Sequence, residues 1–303
     1  MPIVLLYLAG LYLMHALYFT YLIHILDFIA HIGAIVFLKV APFRVQIIDA
    51  NLKLVFPENT PERNAEIKFL STKLSILTLF VGLHQRFLID NRAWMDNYTP
   101  YDRDDLFAEI RADYAYKKAI FITPHYGFFY DMTSLYNLWR MNAVVFYDIP
   151  SKMVERFIFG CRRFVGILTG RNKDLFKKYM KDLYTGKESP ETAFINAQPA
   201  LVMVCDQKSV KQNATRFLGQ VVPFHTTPVD VHKRTKRAIW VWFFTYDFRN
   251  KRIIHEAYPI QRECDGTDPQ VIVQRIADAF SEKIQANPEQ YFWLHNRFNL
   301  IQK

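Results

Sequence analysis

From Ile3 to Leu26 the chain carries no Asp, Glu, Lys or Arg. Nothing else in the sequence limits the options as strongly. A helix needs about 20 apolar residues to cross the hydrocarbon core of a bilayer, and this stretch supplies them. Tyr7, Tyr12, Tyr18 and Tyr21 add amphipathic rings suited to the lipid–water boundary. No basic segment precedes the stretch and no small-residue cleavage site follows it, which argues against a cleaved signal peptide. His15 and His24 interrupt it, and Asp27 and His31 follow. We read these polar groups at headgroup level; a proton relay inside the membrane is the sharper alternative. Apolar character resumes from Ile32 to Val40, so the expectation is one spanning helix plus an interfacial one. Positive charge enters only at Lys39, Arg44 and Lys53. The positive-inside rule then places the rest of the chain in the cytoplasm. The domain expectation is residues 1–40 as membrane anchor and interfacial segment, and 41–303 as a cytoplasmic domain.

The remainder is long enough for a full core. It has few glycines, no repeat and no low-complexity linker. Three widely spaced cysteines (Cys161, Cys205, Cys264) form neither a CxxC pair nor a disulfide framework. Cys205 beside Asp206 could be a nucleophile, but "LVMVCDQ" reads as a strand end, where a buried inert thiol is the better expectation. The net charge of +9 admits nucleic acid, acidic lipid or an acidic carrier protein as partner. Thr60 and Pro61 open a helix as N-cap and first turn. Strands are expected at Ala119–Thr123, in "NAVVFYD", "ALVMVCD" and "RAIWVWFFTYD", and in "KRIIHEAYPI" paired with the last of these. Helices are expected at Phe128–Trp139, Lys152–Val165, Lys173–Tyr184 and Asp268–Ala286, the last with Val271, Val273, Ile276, Ala279, Phe280 and Ile284 on its apolar side. Alternating strands and helices imply an α/β fold: a mostly parallel central sheet flanked by helices, with an N-terminal transmembrane or interfacial helix. Ligands of such sheets bind beyond the carboxyl ends of the strands. His125 and Asp206 both follow strand ends of that kind.

"ITPHYGFFYD" (Ile122 to Asp131) places a titratable imidazole at the end of an apolar strand. Held by rigid backbone, such a ring can take the proton of an alcohol as that alcohol attacks a carbonyl. An acid that fixes its tautomer improves it. On these residues alone, a satisfied structural histidine is the commoner reading.

Four stretches carry a resemblance: "NLKLVFPENTPER" (Asn51 to Arg63), "HYGFFYD", "VCDQKSVKQNATRFLGQVVPFHTTP" (Val204 to Pro228) and "PEQYFWLHNRF" (Pro288 to Phe298). In series, behind one anchor helix, they resemble the late acyltransferases of lipid A biosynthesis, the lauroyl and myristoyl transferases of Gram-negative bacteria. The resemblance implies transfer of a fatty acyl chain from acyl carrier protein to a hydroxyl of a lipid A precursor. It implies His125 as general base with Asp131 as its partner, and a site on the cytoplasmic face of the inner membrane. The family spaces its acid five positions after the histidine. Here that place is Tyr130 and the carboxylate is Asp131, a rotation of about 100° on a continuous helix. Either the turn absorbs the extra residue, or the Tyr130 hydroxyl takes the place of the acid. The last stretch has Asn296 where an arginine is usual, leaving Arg297 alone.

By the same resemblance Asp206 and Gln207 belong to the site region, in an architectural role, and Phe217, Gly219 and Thr226 shape the pocket. Arg162 and Arg163, and Arg297 with them, have two readings: clamps for acceptor phosphates, or a solvated helix face, with the aromatic neighbours Tyr291, Phe292 and Trp293 favouring an ordered position for Arg297. "HKRTKR" (His232 to Arg237) could dock an acidic carrier protein, anionic headgroups or nucleic acid, or simply be a solvated helix end. No binding module surrounds it, so nucleic acid is not the expected partner. No Cys and His stand at zinc-ligand spacing, and there is no P-loop or GxGxxG, so neither metal nor cofactor is expected. Two alternatives stand beside the enzyme: an acyltransferase for a different envelope lipid, and a non-catalytic relative that binds lipid.

Overall fold

The computed structural model of the chain describes residues 2–88, 108–110, 119–129, 143–147, 165–168, 173–185, 200–206 and 214–300. It opens with three helices, α1 (Pro2–Val40), α2 (Pro42–Val55) and α3 (Pro61–Leu88). The strands β1 (Ala119–Thr123), β2 (Ala143–Tyr147) and β3 (Val165–Leu168) follow, then α4 (Lys173–Thr185) and β4 (Ala200–Val204). A two-stranded hairpin, β5 (Thr215–Phe217) and β6 (Gln220–Val222), leads to α5 (Thr227–Thr235). The chain ends with β7 (Ala238–Asp247), β8 (Arg252–Gln261), α6 (Pro269–Ala286) and a 3₁₀ turn at Pro288–Gln290.

Six strands form one sheet in the order β3-β2-β4-β1-β7-β8. The first five are parallel and β8 pairs antiparallel with β7. This is the mixed α/β architecture expected, with the fifth anticipated strand paired to the fourth. Every residue of β1 is buried, because helices cover both faces. Alternation along the strand splits the interior in two. Ile120 and Ile122 point to a core built with α2 and α6, while Ala119 and Phe121 point to one built with α1 and α3.

Asp268 caps α6, its carboxylate accepting the Gln270 amide hydrogen at 2.7 Å, with Pro269 in the first turn. The buried side is Ile272, Val273, Ile276, Ala277, Phe280 and Ile284. Val271, expected inside, is 45% exposed. Two adjacent apolar residues cannot both centre on one helical stripe, and the 272/276/280/284 row takes the core. The β5–β6 hairpin was not anticipated. Its turn residues Leu218 (φ 51°) and Gly219 (φ 79°) are both left-handed, the geometry that two-residue hairpins favour. Of the expected helices Phe128–Trp139 and Lys152–Val165, the described residues hold only the ends: Phe128 and Phe129, and Val165, which opens β3.

α1 differs from the expected pair of helices. It is one unbroken helix of 39 residues, about 58 Å long at 1.5 Å per residue. Tyr21–Val40, with mean hydropathy 2.0, is long and apolar enough to cross a bilayer. Yet Leu22, Ile23, Leu26 and Ala30 are packed in the core with Leu74, Leu77 and Val81 of α3. Asp27, on the same side, receives Lys73 Nζ at 2.8 Å and Lys251 Nζ at 2.5 Å. The Tyr246 hydroxyl donates to its Oδ1 at 3.4 Å.

Candidate active site

The parallel pairing of β1 and β4 sets Thr123 opposite Val204, and the Cys205 amide continues the ladder to Thr123 O at 3.3 Å. Two residues beyond each partner stand His125 and Asp206. Sheet register therefore delivers an imidazole and a carboxylate to the same edge. His125 Nδ1 lies 2.6 Å from Asp206 Oδ1. The ring side chain is 18% exposed and the carboxylate 1%. Burial alone would push the Asp206 pKa up. The His125 charge, hydrogen bonds from its ring and backbone N–H, and one from the Tyr291 hydroxyl outweigh burial and hold it at about 2. An ionised carboxylate can only accept, so the neutral form of His125 has its proton on Nδ1 and its lone pair on Nε2.

The turn after His125 is fixed from three sides. Pro124 O accepts the Tyr126 amide hydrogen at 2.8 Å, Gln290 O that of Gly127 at 2.8 Å, and Phe244 O that of Phe128 at 2.8 Å. Gly127 has φ 56°, and a Cβ there would stand 1.8 Å from Phe244 O. Only glycine admits this approach. The rings of Phe129 and Phe292 lie 4.8 and 6.0 Å from that of His125, giving the imidazole an apolar collar.

Behind the pair sits a second layer. Arg297 is 2% exposed. Its Nη2 donates to Pro223 O at 2.8 Å, and its guanidinium lies over Phe217 and Phe224 at 5.5 and 5.9 Å. Burial lowers its pKa, and the nearby Tyr291 and Asp206 oppose that. Burial likewise depresses His295, against the pull of Asp206 and with the push of the His125, Arg297 and Arg44 charges, so it stays neutral near pH 7. Asn51 of α2 clamps this segment, Nδ2 donating to Trp293 O and His295 O at 2.9 Å each. Phe56 meets the Trp293 ring edge-on at 5.9 Å. The four separate sequence stretches thus meet around one imidazole.

Of the residues expected at the site, the structure gathers His125, Asp206 and Arg297. Asp131, Tyr130, Arg162, Arg163 and Gln207 lie outside the described residues. The pairing of Asp206 with His125 was not anticipated, although its signal was present: both residues follow parallel strands at the same offset. Tyr291 and His295 were also missed. Phe217 lies beneath Arg297, Gly219 turns the hairpin, and Thr226 Oγ1 donates to Asp230 Oδ2 at 3.1 Å. Cys205 is buried, and burial first, then the Asp206 charge, raises its pKa well above normal, the signature of an inert thiol. The basic run is partly spent on the scaffold. Arg237 is buried, its carbonyl oxygen 2.6 Å from His232 Nδ1, and Arg234 stacks over Tyr184 at 4.5 Å. A cavity lined by Phe56, Asn59, Arg63 and Pro288 includes neither His125 nor Asp206.

The C-terminal third carries a likeness to a known family. Residues 193–299 match the bacterial lipid A biosynthesis acyltransferase family. The matched stretch carries Asp206, Tyr291, His295 and Arg297, while His125 reaches the same place from outside it. No curated protein matches the chain significantly. The family match supports an acyltransferase role acting on a lipid, the class that an apolar-collared imidazole could serve.

Proposed function

We propose that this protein is a membrane-anchored O-acyltransferase that moves a fatty acyl chain from acyl carrier protein to a hydroxyl of a lipid A precursor, with His125 as general base. The observation that carries the reading is the 2.6 Å contact between His125 and Asp206 at the ends of adjacent parallel strands. His125 Nε2 takes the proton of the acceptor hydroxyl as its oxygen attacks the thioester carbonyl. Asp206 holds the proton on Nδ1 and balances the imidazolium. The tetrahedral adduct collapses, and the leaving thiolate recovers the proton as thiol. Phe129 and Phe292 exclude water from the ring and offer the acyl chain an apolar wall. Arg297 counters the Asp206 charge from behind, and Arg162, Arg163 and Gln207 serve the acceptor. Residues 1–40 anchor the chain in the inner membrane, with 41–303 on its cytoplasmic face and no resident cofactor or metal.

The test is mass spectrometry of lipid A from cells lacking the chain and complemented with variants. Wild type restores a heavier, more acylated species. His125→Ala should restore none, and Asp206→Asn should lower transfer by about 10²-fold or more by stabilising the wrong tautomer. Asp131→Asn run beside it separates the two acids: a larger loss there returns the partnership to Asp131. Full transfer by His125→Ala would remove the mechanism. Lipid A that does not change when the chain is lost or returned would favour the non-catalytic lipid-binding reading, to which Tyr130 at the family's acid position points. A new acyl chain on another envelope lipid would keep the mechanism and change the acceptor.

A further inference from the structure

Ten of the fifteen large apolar side chains exposed among the described residues fall between Leu17 and Phe43. They are not scattered. Tyr21, Ile25, Phe28, Ile32, Val36 and Val40 step by three or four and form one stripe along the outer side of α1. The opposite side of the same turns is buried against α3. An exposed stripe of this length is not ordinary surface. Nor can α1 cross a bilayer along its whole length, since about 58 Å is roughly twice the hydrocarbon thickness.

The second half of α1 is tied to a basic corner. Lys251, which pairs with Asp27, sits in the turn between β7 and β8 with Arg249, next to Arg252 at the start of β8. Both arginines are exposed. Against them the turn has one acid, Asp247, which spends its oxygens on the Arg249 and Asn250 amides and the Asn250 side chain and lies 3.7 Å from Arg252. With Lys73 and Asp27 counted alongside them, four cations less two anions leave +2 at this corner. The corner lies at the carboxyl end of β7, the end at which Phe244 O holds the His125 turn.

We propose that the outer stripe of α1 from Tyr21 to Val40, with the Arg249–Arg252 turn as its basic rim, is a second membrane contact that lays the catalytic end of the sheet on an anionic bilayer surface. The inference rests on the membrane-bound reading above and goes beyond it: the first 20 residues tether the chain, and this stripe sets its tilt. Lipid is the occupant favoured on three grounds. The stripe continues the charge-free segment within one helix. His24 and His31, exposed among its apolar residues, suit a headgroup layer. The cations at its edge match anionic headgroups.

The test uses the full chain in nanodiscs containing phosphatidylglycerol with a photoactivatable diazirine in its acyl chain. Adducts are mapped by mass spectrometry. Labelling should fall on Tyr21, Ile25, Phe28 and Ile32 and spare Leu22 and Leu26. In the Arg249→Glu/Arg252→Glu variant, labelling of the stripe should drop several-fold in anionic discs. In discs of phosphatidylcholine the variant should label like wild type. Arg249→Gln, a milder change, should show the same direction if the double variant folds poorly. Labelling of residues 2–16 without the stripe would overturn this inference while keeping the anchor. Labelling of neither would remove the membrane reading itself. Cross-links joining the stripes of two chains would assign the face to a second copy and overturn the proposal.

Discussion

At the scale of single residues the site is an exercise in holding charge where burial forbids it. Asp206 stays ionised because three hydrogen bonds and the His125 charge exceed the cost of its burial. That balance has a pH consequence with a definite sign. Its pKa falls from the ordinary 3.8 to about 2 on folding. A depressed carboxylate adds stability that is complete above the unfolded value and lost as pH falls through the folded one. The window is thus pH 4 down to 2. The amount at stake is on the order of 2 kcal/mol. Thermal midpoints in detergent should fall between pH 4 and 2 in wild type and fall clearly less in Asp206→Asn. Equal slopes would mean that the carboxylate gains nothing from its partners. The residue scale is also where sequence reading reached least. The strand before His125 and the strand before Asp206 were both legible, but register is a property of two strands together. The sequence showed an acid six positions along the chain, whereas the one met in space lies 81 positions away. Neighbours in sequence attract attention that neighbours in a sheet deserve.

At the scale of elements, local signals and tertiary facts part company at α1. Its apolar run was legible as a helix, and the α/β alternation after it was legible as a parallel sheet with an antiparallel edge. Periodicity could not reveal that half of α1 would be a wall of the core, because a run apolar on all sides has no preferred face. Small residues and one acid were the only hints. Ala30 and Ala34 are fully buried, and Gly33 has Ile76 against the place a Cβ would take, so the helix can lie close to α3. Asp27 then fixes it. The side chains of Asp27 and Lys73 are 10% and 9% exposed, so removing one leaves a charge stranded. Asp27→Leu should destabilise by about 3–5 kcal/mol, since both lysines lose their anion. Asp27→Leu combined with Lys73→Met should recover a good part of that loss, the cost being the unpaired charge rather than the missing attraction. A double variant no more stable than the single would place the energy elsewhere, such as in the Tyr246 hydroxyl contact.

At the scale of the whole molecule, the division into an anchor of residues 1–40 and a domain of 41–303 becomes a question of where the fold begins. Four buried apolar side chains, Leu22, Ile23, Leu26 and Ala30, complete the core on the α3 side of the sheet. Burying a Leu or Ile contributes about 1.5–3 kcal/mol. Leu22, Ile23 and Leu26 alone therefore rival the 5–15 kcal/mol by which a domain is stable. The Asp27 cluster would vanish with them and leave Lys73 buried without its anion. Deleting residues 2–16 should therefore release a folded protein that binds vesicles more weakly and keeps a cooperative thermal transition. Deleting residues 2–40 should yield aggregated chain without such a transition, whatever detergent is supplied. The contrast separates two pictures of the chain. If the shorter piece melted cooperatively, α1 would be a detachable tether and the His125 turn would owe it nothing. If it does not, α1 is structural: the helix proposed to meet lipid also walls the core beneath the β7 strand, whose Phe244 carbonyl holds the His125 turn in place. Membrane attachment and site geometry would then be one construction, and a variant could not lose the first half of it at Leu22 and keep the second.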